Sequence, residues 1–499
     1  MKNLKRILCL LLCAIMLLGV LAGCKKDEGA DGDGENVTTV STDSGDENLD
    51  ENGYEKDDIT EDMTYGGALM RIVSWAGNER YTLPEDGGTT QLDAEIYYSR
   101  LSVEERLDVT TEVTYLEGKG NDPGYSIMTA FINNVTAGVV KYDLIQGFCL
   151  YPTALARDGF LHNLNNLEFP HLDDPWYPEE IKEWEQHGGL YFVANNSSAC
   201  AIRSMILMYA NTEMITNVDG LTDPVDLVLS GDWTIDKMME YSQAFESTAE
   251  VGDGYGLVVD DFSRVDAFYY GAGFRSTVND SNGVAKMALD DASYLGRVDD
   301  YLDKLVTFFN RADVYVAPDE ITLMQDKKTA FMIARMGKLL GLSDNSYAPL
   351  PMPKLDKDSS YSTMLDMGVD VWCIPKTTED AERSGVFIEA ISSSEYRKVA
   401  PYLFETQLKA RYAQSTKGAQ VFDIIRNSVV YDFGRMAQFT FETKTVEGIW
   451  RECLTKWDSA ISHGVKDPKN LITDKWATFG GNMKTDLMKL TNDIRNNNR

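Results

Sequence analysis

"ALMRIVSW" (residues 68–75) reads as a β-strand, and the segments that follow it decide the fold. "DAEIYYSRLSVEERLDV" (93–109) reads as a helix, with Ile96, Tyr97 and Leu101 on one face and Glu104 and Glu105 on the other. "VTTEVTYL" (109–116) alternates β-branched and polar residues, the pattern of a second strand. "YSIMTAFINNVTAGV" (125–139) has helical spacing, and "YDLIQG" (142–147) has the composition of a short buried strand. Strand, helix, strand, helix, strand predicts a parallel α/β sheet. Ligands of open parallel sheets bind beyond the carboxyl ends of the strands. That rule points to two loops, "SWAGNERY" (74–81) and "GFCLYPT" (147–153), which carry aromatic and amide-type groups.

Later segments are mainly helical. In "GRVDDYLDKLVTFFN" (296–310), Val298, Tyr301, Leu302, Leu305, Phe308 and Phe309 share a face. In "VEGIWRECLTKWDSAI" (446–461), Val446, Ile449, Trp450, Cys453, Leu454 and Trp457 do the same, which assigns both tryptophans to the core. Met483, Leu487, Leu490 and Ile494 repeat the pattern near the end.

The chain has 499 residues and a formal net charge of −32. Such a balance opposes binding to nucleic acid or to anionic lipid by charge, and suits an exported protein. Cys149, Cys200, Cys373 and Cys453 form no CxxC and sit among apolar neighbours, as buried thiols do; spacing alone does not settle whether any pair is oxidised.

The front of the chain is different. Lys2, Lys5 and Arg6 precede an apolar run from Ile7 to Ala22, the pattern of a secretory signal. The run ends in Leu21-Ala22-Gly23-Cys24, which resembles the bacterial lipobox. The resemblance implies cleavage after residue 23 and lipidation of Cys24. Residues 24–62 hold fifteen Asp and Glu against Lys25, Lys26 and Lys56, a net charge of −12. Low hydrophobicity and high charge predict a disordered acidic tether over 24–63, reaching roughly 30–40 Å as a flexible coil.

Several blocks carry a wider resemblance: "FINNVTAGVVKYDLIQG" (131–147), "LARDGFLHNLNNL" (155–167), "DDPWYPEEIKEWEQHGGLYFVANNSSACAIRSMILMYANTEMI" (173–215), "DPVDLVLSGDWTIDKMMEYSQAF" (223–245), "YAPLPMPKLDKDSSYST" (347–363), "VDVWCIPKTTEDAERSGVFIEAIS" (369–392) and "VFDIIRNSVVYDFG" (421–434). Together they resemble the extracellular solute-binding lipoproteins of bacterial ABC importers, of the carbohydrate-binding type. The resemblance implies an α/β, two-lobe periplasmic-binding-protein-like fold (type II) with interleaved lobes around a ligand cleft. Residues 64–204 and 356–395 would form the N-terminal lobe, and 205–355 and 396–499 the C-terminal lobe. "RSMILMYAN" (203–211) and "YAPLPMPK" (347–354) are the expected crossings. Relatives carry an Asp-rich, calcium-loop-like insert before "YGL"; here "STAEVGDGYGL" (247–257) lacks it, so no metal site is carried over.

Sugar recognition uses aromatic faces for the C–H side of a ring, and amides, carboxylates or arginines for its hydroxyls. Trp75 ends the first strand, with cleft stacking set against core packing. Asn78 follows it, in a loop equally suited to solvent. Phe148 and Tyr151 follow the third strand, and at least one is expected to line the cleft. Asn195 and Asn196 in "ANNSS" offer amides or a plain β-turn. "FYYGAGF" (268–274) resembles the family's aromatic-glycine element facing the cleft, which makes Tyr270 the candidate contact from the second lobe, with a non-contact role weighed equally. Arg335 offers a hydrogen bond to ligand or a surface ion pair, and Asp366 a hydroxyl acceptor or a turn. Trp176 and Trp372 read as packing residues.

The expected function is capture of an extracellular solute, most simply a mono- or oligosaccharide, for an ABC permease. The expected protein is a monomer without cofactor or metal, lipid-anchored on the extracellular face of the cytoplasmic membrane. The contrary class is a secreted lipoprotein glycoside hydrolase, which needs only two carboxylates. HExxH, GxSxG and GxxxxGK[ST] are absent, and His162, His171, His187 and His463 are scattered. A binder of a non-sugar solute such as a peptide is the other alternative.

Overall fold

A computed structural model describes residues 48–77, 79–116, 126–259, 262–316, 320–339, 347–366, 368–409, 416–454 and 471–498. The signal segment, Cys24 and most of the acidic tether lie outside these residues, as does Trp457. The architecture below is that of residues 50–499.

The opening strand forms as expected. β1 (Ala68–Trp75) carries Met70, Ile72 and Val73, all fully buried, and each such side chain contributes about 1.5–3 kcal/mol on leaving water. α1 (Gln91–Leu107) leads back to β2 (Val109–Leu116), parallel to β1 from Ala68↔Val109 to Trp75↔Leu116. α2 (Ser126–Thr136) leads to β3 (Leu144–Phe148), parallel to β1 on its other side. α3 (Pro152–Arg157) follows, then α4 (Ala199–Ser204) and β4 (Ile206–Asn211).

The second sheet is built from β4, β5 (Tyr255–Val259), β8 (Val314–Val316), β9 (Thr329–Arg335) and β10 (Tyr347–Leu350), in the order β10-β4-β9-β5-β8. Between β5 and β8 lie α5 (Asp266–Gly271), the hairpin β6 (Thr277–Asn279) and β7 (Ala285–Met287), and α6 (Ala292–Phe309). Beyond β10 come β11 (Thr363–Met364), β12 (Asp370–Cys373), α7 (Ala381–Ser394), β13 (Val429–Val430), α8 (Phe433–Met436), α9 (Val446–Leu454) and α10 (Ile472–Asn497). β12 returns to the first sheet as an antiparallel edge beside β3, so that sheet is mixed, in the order β12-β3-β1-β2.

Each sheet is the core of one lobe, and the chain passes between them at a narrow seam. The Asp366 N–H donates to the Ser204 carbonyl at 2.7 Å, and Met205 pairs with Leu365. β11 pairs in parallel with β13. β10, within "YAPLPMPK", pairs antiparallel with β4, the strand of "RSMILMYAN", in the second sheet, and residues 365–366 run beside Ser204 and Met205.

Two further segments pack against α1 and its neighbours. Residues 395–409 pack beside α1, with the Lys398 Nζ donating to Ser102 Oγ at 2.7 Å. Residues 54–59, assigned by composition to the tether, are anchored in the fold. Tyr54 packs edge-on against Tyr396 at 5.6 Å, and buried Asp57 accepts from Arg106 and Arg397. α10 ties to both lobes: Asn497 Nδ2 donates to Arg157 O at 2.7 Å, while the Thr473 N–H donates to Asp299 Oδ1 at 3.3 Å.

The first helix is held by its entrance. Thr90 caps it, Asp93 accepts the Thr89 and Thr90 N–H groups, and Arg80 Nη2 reaches Asp93 at 2.8 Å. Asp93 is buried, yet Arg80 and these donors hold its carboxyl down at about 2. A depressed carboxyl adds stability above its unfolded value, and that stability is lost as pH falls from about 4 through 2. Arg80 is half-exposed, so D93N is expected to remove about 1–2 kcal/mol at pH 7, read by urea melts. The difference from the parent protein should vanish below about pH 2.

Candidate functional site

The carboxyl ends of β1 and β3 bring together three of the expected residues. The Trp75 and Phe148 rings meet edge-to-face at 5.4 Å, and Phe148 and Tyr151 lie 5.6 Å apart. All three are at least nine-tenths buried. The Trp75 indole N–H is buried and has no hydrogen-bond partner among the described residues. Such an orphaned donor carries a cost of about 1–3 kcal/mol unless a partner arrives. Asn78 lies outside the described residues.

Behind the trio is the seam. Cys149 follows Phe148, and its N–H donates to Val369 O at 3.1 Å. Burial pushes its thiol up, and the charges of Arg435 and Asp366 reach it. Asp366 sits on the return crossing and is paired with two guanidiniums of the second lobe. Arg335, at the end of β9, forms an ion pair with it, and Arg264 Nη1 lies 3.5 Å away. The Arg335 side chain is 48% exposed, whereas Arg264 and Asp366 are buried.

Arg435, like Arg264, is a residue that sequence reasoning missed. It lies on α8, whose entrance is capped by Asp432, and Thr153 Oγ1 donates to the neighbouring Met436 carbonyl at 3.4 Å. Arg435 is buried, its Nη1 donates to Asp266 Oδ2 at 3.3 Å, and its plane lies over the Tyr270 ring at 5.1 Å. Its Nε and Nη2 have no partner among the described residues. The block "VFDIIRNSVVYDFG" ends one residue short of it, and nothing local marks its role.

Two of the expected contacts have internal partners. Tyr270 is fully buried, with its hydroxyl 2.8 Å from Ser276 Oγ and donating to Glu447. It is held by this internal network and offers the seam no open face. Asn195 is also turned inward: its Nδ2 donates to buried Glu395 at 2.5 Å and its Oδ1 accepts the Ser197 N–H. Asn196 remains half-buried, its Oδ1 accepting from Ser197 Oγ at 3.1 Å. Trp176 and Trp372 are core residues, and Cys149, Cys200, Cys373 and Cys453 are buried and joined by no disulfide among the described residues.

The comparisons agree with this geometry at the level of fold. No family model and no curated protein matches the chain. Among solved structures, the cyclic α-maltosyl-1,6-maltose binding protein from Arthrobacter globiformis aligns with a TM-score of 0.53 at 12% identity, over 86% of this chain and 100% of that one. An uncharacterised protein from Listeria monocytogenes aligns with a TM-score of 0.51 at 12% identity, over 85% and 100%. The chain shares their fold, and with it the two-lobe α/β architecture of solute-binding proteins.

Proposed function

We propose that this chain is an extracellular solute receptor of an ABC importer, and that it holds a mono- or oligosaccharide between its lobes. One observation carries the reading: the Trp75–Phe148–Tyr151 cluster ends the parallel strands of one lobe beside an Asp366–Arg264–Arg335 group that joins the crossing to the other. Apolar ring faces beside fixed hydrogen-bonding groups are what a pyranose requires. The fold supports the same reading, since its Arthrobacter counterpart is a maltosyl-maltose binder.

In this reading Trp75 and one of Phe148 and Tyr151 cover the sugar face. Arg335, Asp366, Asn196 and Asn78 address its hydroxyls, and Arg435 joins them from the second lobe. Ligand favours the conformer in which both lobes contact it, and that conformer is the one a permease would read. Cys24 would carry the lipid anchor and the acidic stretch after it the tether, placing the receptor outside the cytoplasmic membrane as a monomer.

A receptor binds without turnover. Incubation with α- and β-linked oligosaccharides, followed by chromatography of the recovered sugar, should return the bound species intact. Newly formed reducing ends would assign the chain to the hydrolases instead.

A further inference from the structure

A second constellation lies under α7, beside the loop whose Trp176 carbonyl accepts the Asn196 N–H at 3.2 Å. Glu389, in the middle of that helix, is fully buried. His171 and Asp174, on the loop that runs toward Trp176, each bring a ligand-type atom to it, and the three atoms lie within 4.8 Å of one another. The Glu389 Oε2 accepts the His171 N–H and the Tyr177 hydroxyl, both at 3.1 Å. Its Oε1 is buried, meets no N–H or hydroxyl donor among the described residues, and faces the Asp174 carboxyl within hydrogen-bonding reach.

The surroundings supply no ready counter-charge. Among the described residues no lysine or arginine pairs with Asp174 or Glu389. Arg106 and Arg397, the nearby guanidiniums, are committed to Asp57. The next residue, Asp58, adds a third carboxylate, with Oδ2 3.7 Å from His171 Nδ1. The imidazole is already oriented, stacked on Phe169 at 4.3 Å. Two facing carboxyl groups, that of Glu389 fully buried and that of Asp174 half-buried, call for a positive charge or a shared proton between them.

We infer that His171, Asp174 and Glu389 form a binding site for a divalent cation of the zinc type, with Asp58 placed to close it as a fourth ligand. A nitrogen ligand with carboxylates and few ligands in total suits Zn²⁺, whereas Ca²⁺ takes six to eight oxygens. Bonds of about 2.0–2.2 Å place tetrahedral ligand atoms roughly 3.4 Å apart, so the ion draws the present cluster inward by side-chain rotation. The consequence is structural. The ion ties the N-terminal segment at Asp58 and the 169–177 loop to α7, fastening the chain where it enters the first lobe.

The test uses the folded protein stripped with chelator, at neutral pH. Calorimetric titration with ZnCl₂ and metal analysis should give one ion per chain, and thermal melts should rise with added zinc. Ca²⁺ and Mg²⁺ at equal concentration should leave the melt unchanged. H171A and E389Q should each weaken zinc binding by more than the 10–100-fold typical of losing an outer partner of a ligand. E389Q keeps an oxygen for Tyr177 and the His171 N–H, so its melt without metal reports whether the fold is intact. Zinc uptake by E389Q equal to the parent's would overturn the proposal, as would a stripped parent protein that takes up no zinc. In the latter case the carboxyl pair holds a proton in place of the ion.

Discussion

Trp75→Ala should weaken the binding of an identified sugar by roughly 10–100-fold, about 1.4–2.7 kcal/mol. Two contributions add to that size: the apolar area the indole covers, and the preference of a ring's C–H edge for an aromatic face. Trp75 also supplies a buried N–H that no described residue satisfies, so a ligand acceptor gains a donor already placed. The substitution opens space beside Phe148 as well, and truncating a buried aromatic costs about 3–5 kcal/mol of stability. Binding must therefore be read on protein shown to be folded, and Trp75→Phe is the control. Phenylalanine keeps a flat face against Phe148 and should hold affinity within about tenfold. Unchanged affinity in Trp75→Ala would remove the aromatic trio from the binding account.

Asp266→Ala should be the most destabilising single change, at about 3–5 kcal/mol in urea melts. Asp266 is fully buried and accepts from Arg451 Nε at 2.8 Å and Arg435 Nη1 at 3.3 Å. Burial raises its carboxyl, and the two guanidiniums oppose that rise. Burial works against ionisation of Glu447 too, but Arg435, Tyr270 and Ser276 hold its carboxyl below the ordinary value. Removing Asp266 leaves buried Arg435 and partly exposed Arg451 short of an anion, with α5, α8 and α9 joined through them. The cost lies in the charge left behind more than in the worth of the pair. A double substitution, Asp266→Leu with Arg451→Met, should accordingly cost less than Asp266→Ala alone. A loss below about 1 kcal/mol for the single change would show that the network is not held as described.

How far the sequence could be read depended on the distance between partners. β1 and β2 have the bounds their pattern indicated, because strand periodicity is written in consecutive residues. The apolar faces of α6 and α10 were legible for the same reason, and every residue assigned to them is buried. Trp75, Phe148 and Tyr151 came together because parallel strands put their carboxyl ends side by side. The partners of Tyr270 and Asn195 were not legible because they are remote: Glu447 lies 177 residues from Tyr270, and Glu395 lies 200 from Asn195. Composition described residues 54–59 as tether, since nothing local shows that Asp57 will find Arg106 and Arg397, 49 and 340 positions away. Arg264 and Arg435 carried no signal, for an isolated arginine takes its meaning from what folds against it.

The central claim is that the seam between the lobes binds a sugar. Calorimetric titration of the protein lacking residues 1–47 tests it most directly, against a panel of mono- and oligosaccharides beside peptides, polyamines and organic acids. The account predicts saturable one-to-one binding of at least one sugar, weakened in Trp75→Ala. Tight binding of a peptide, polyamine or organic acid with no response to any sugar would contradict it.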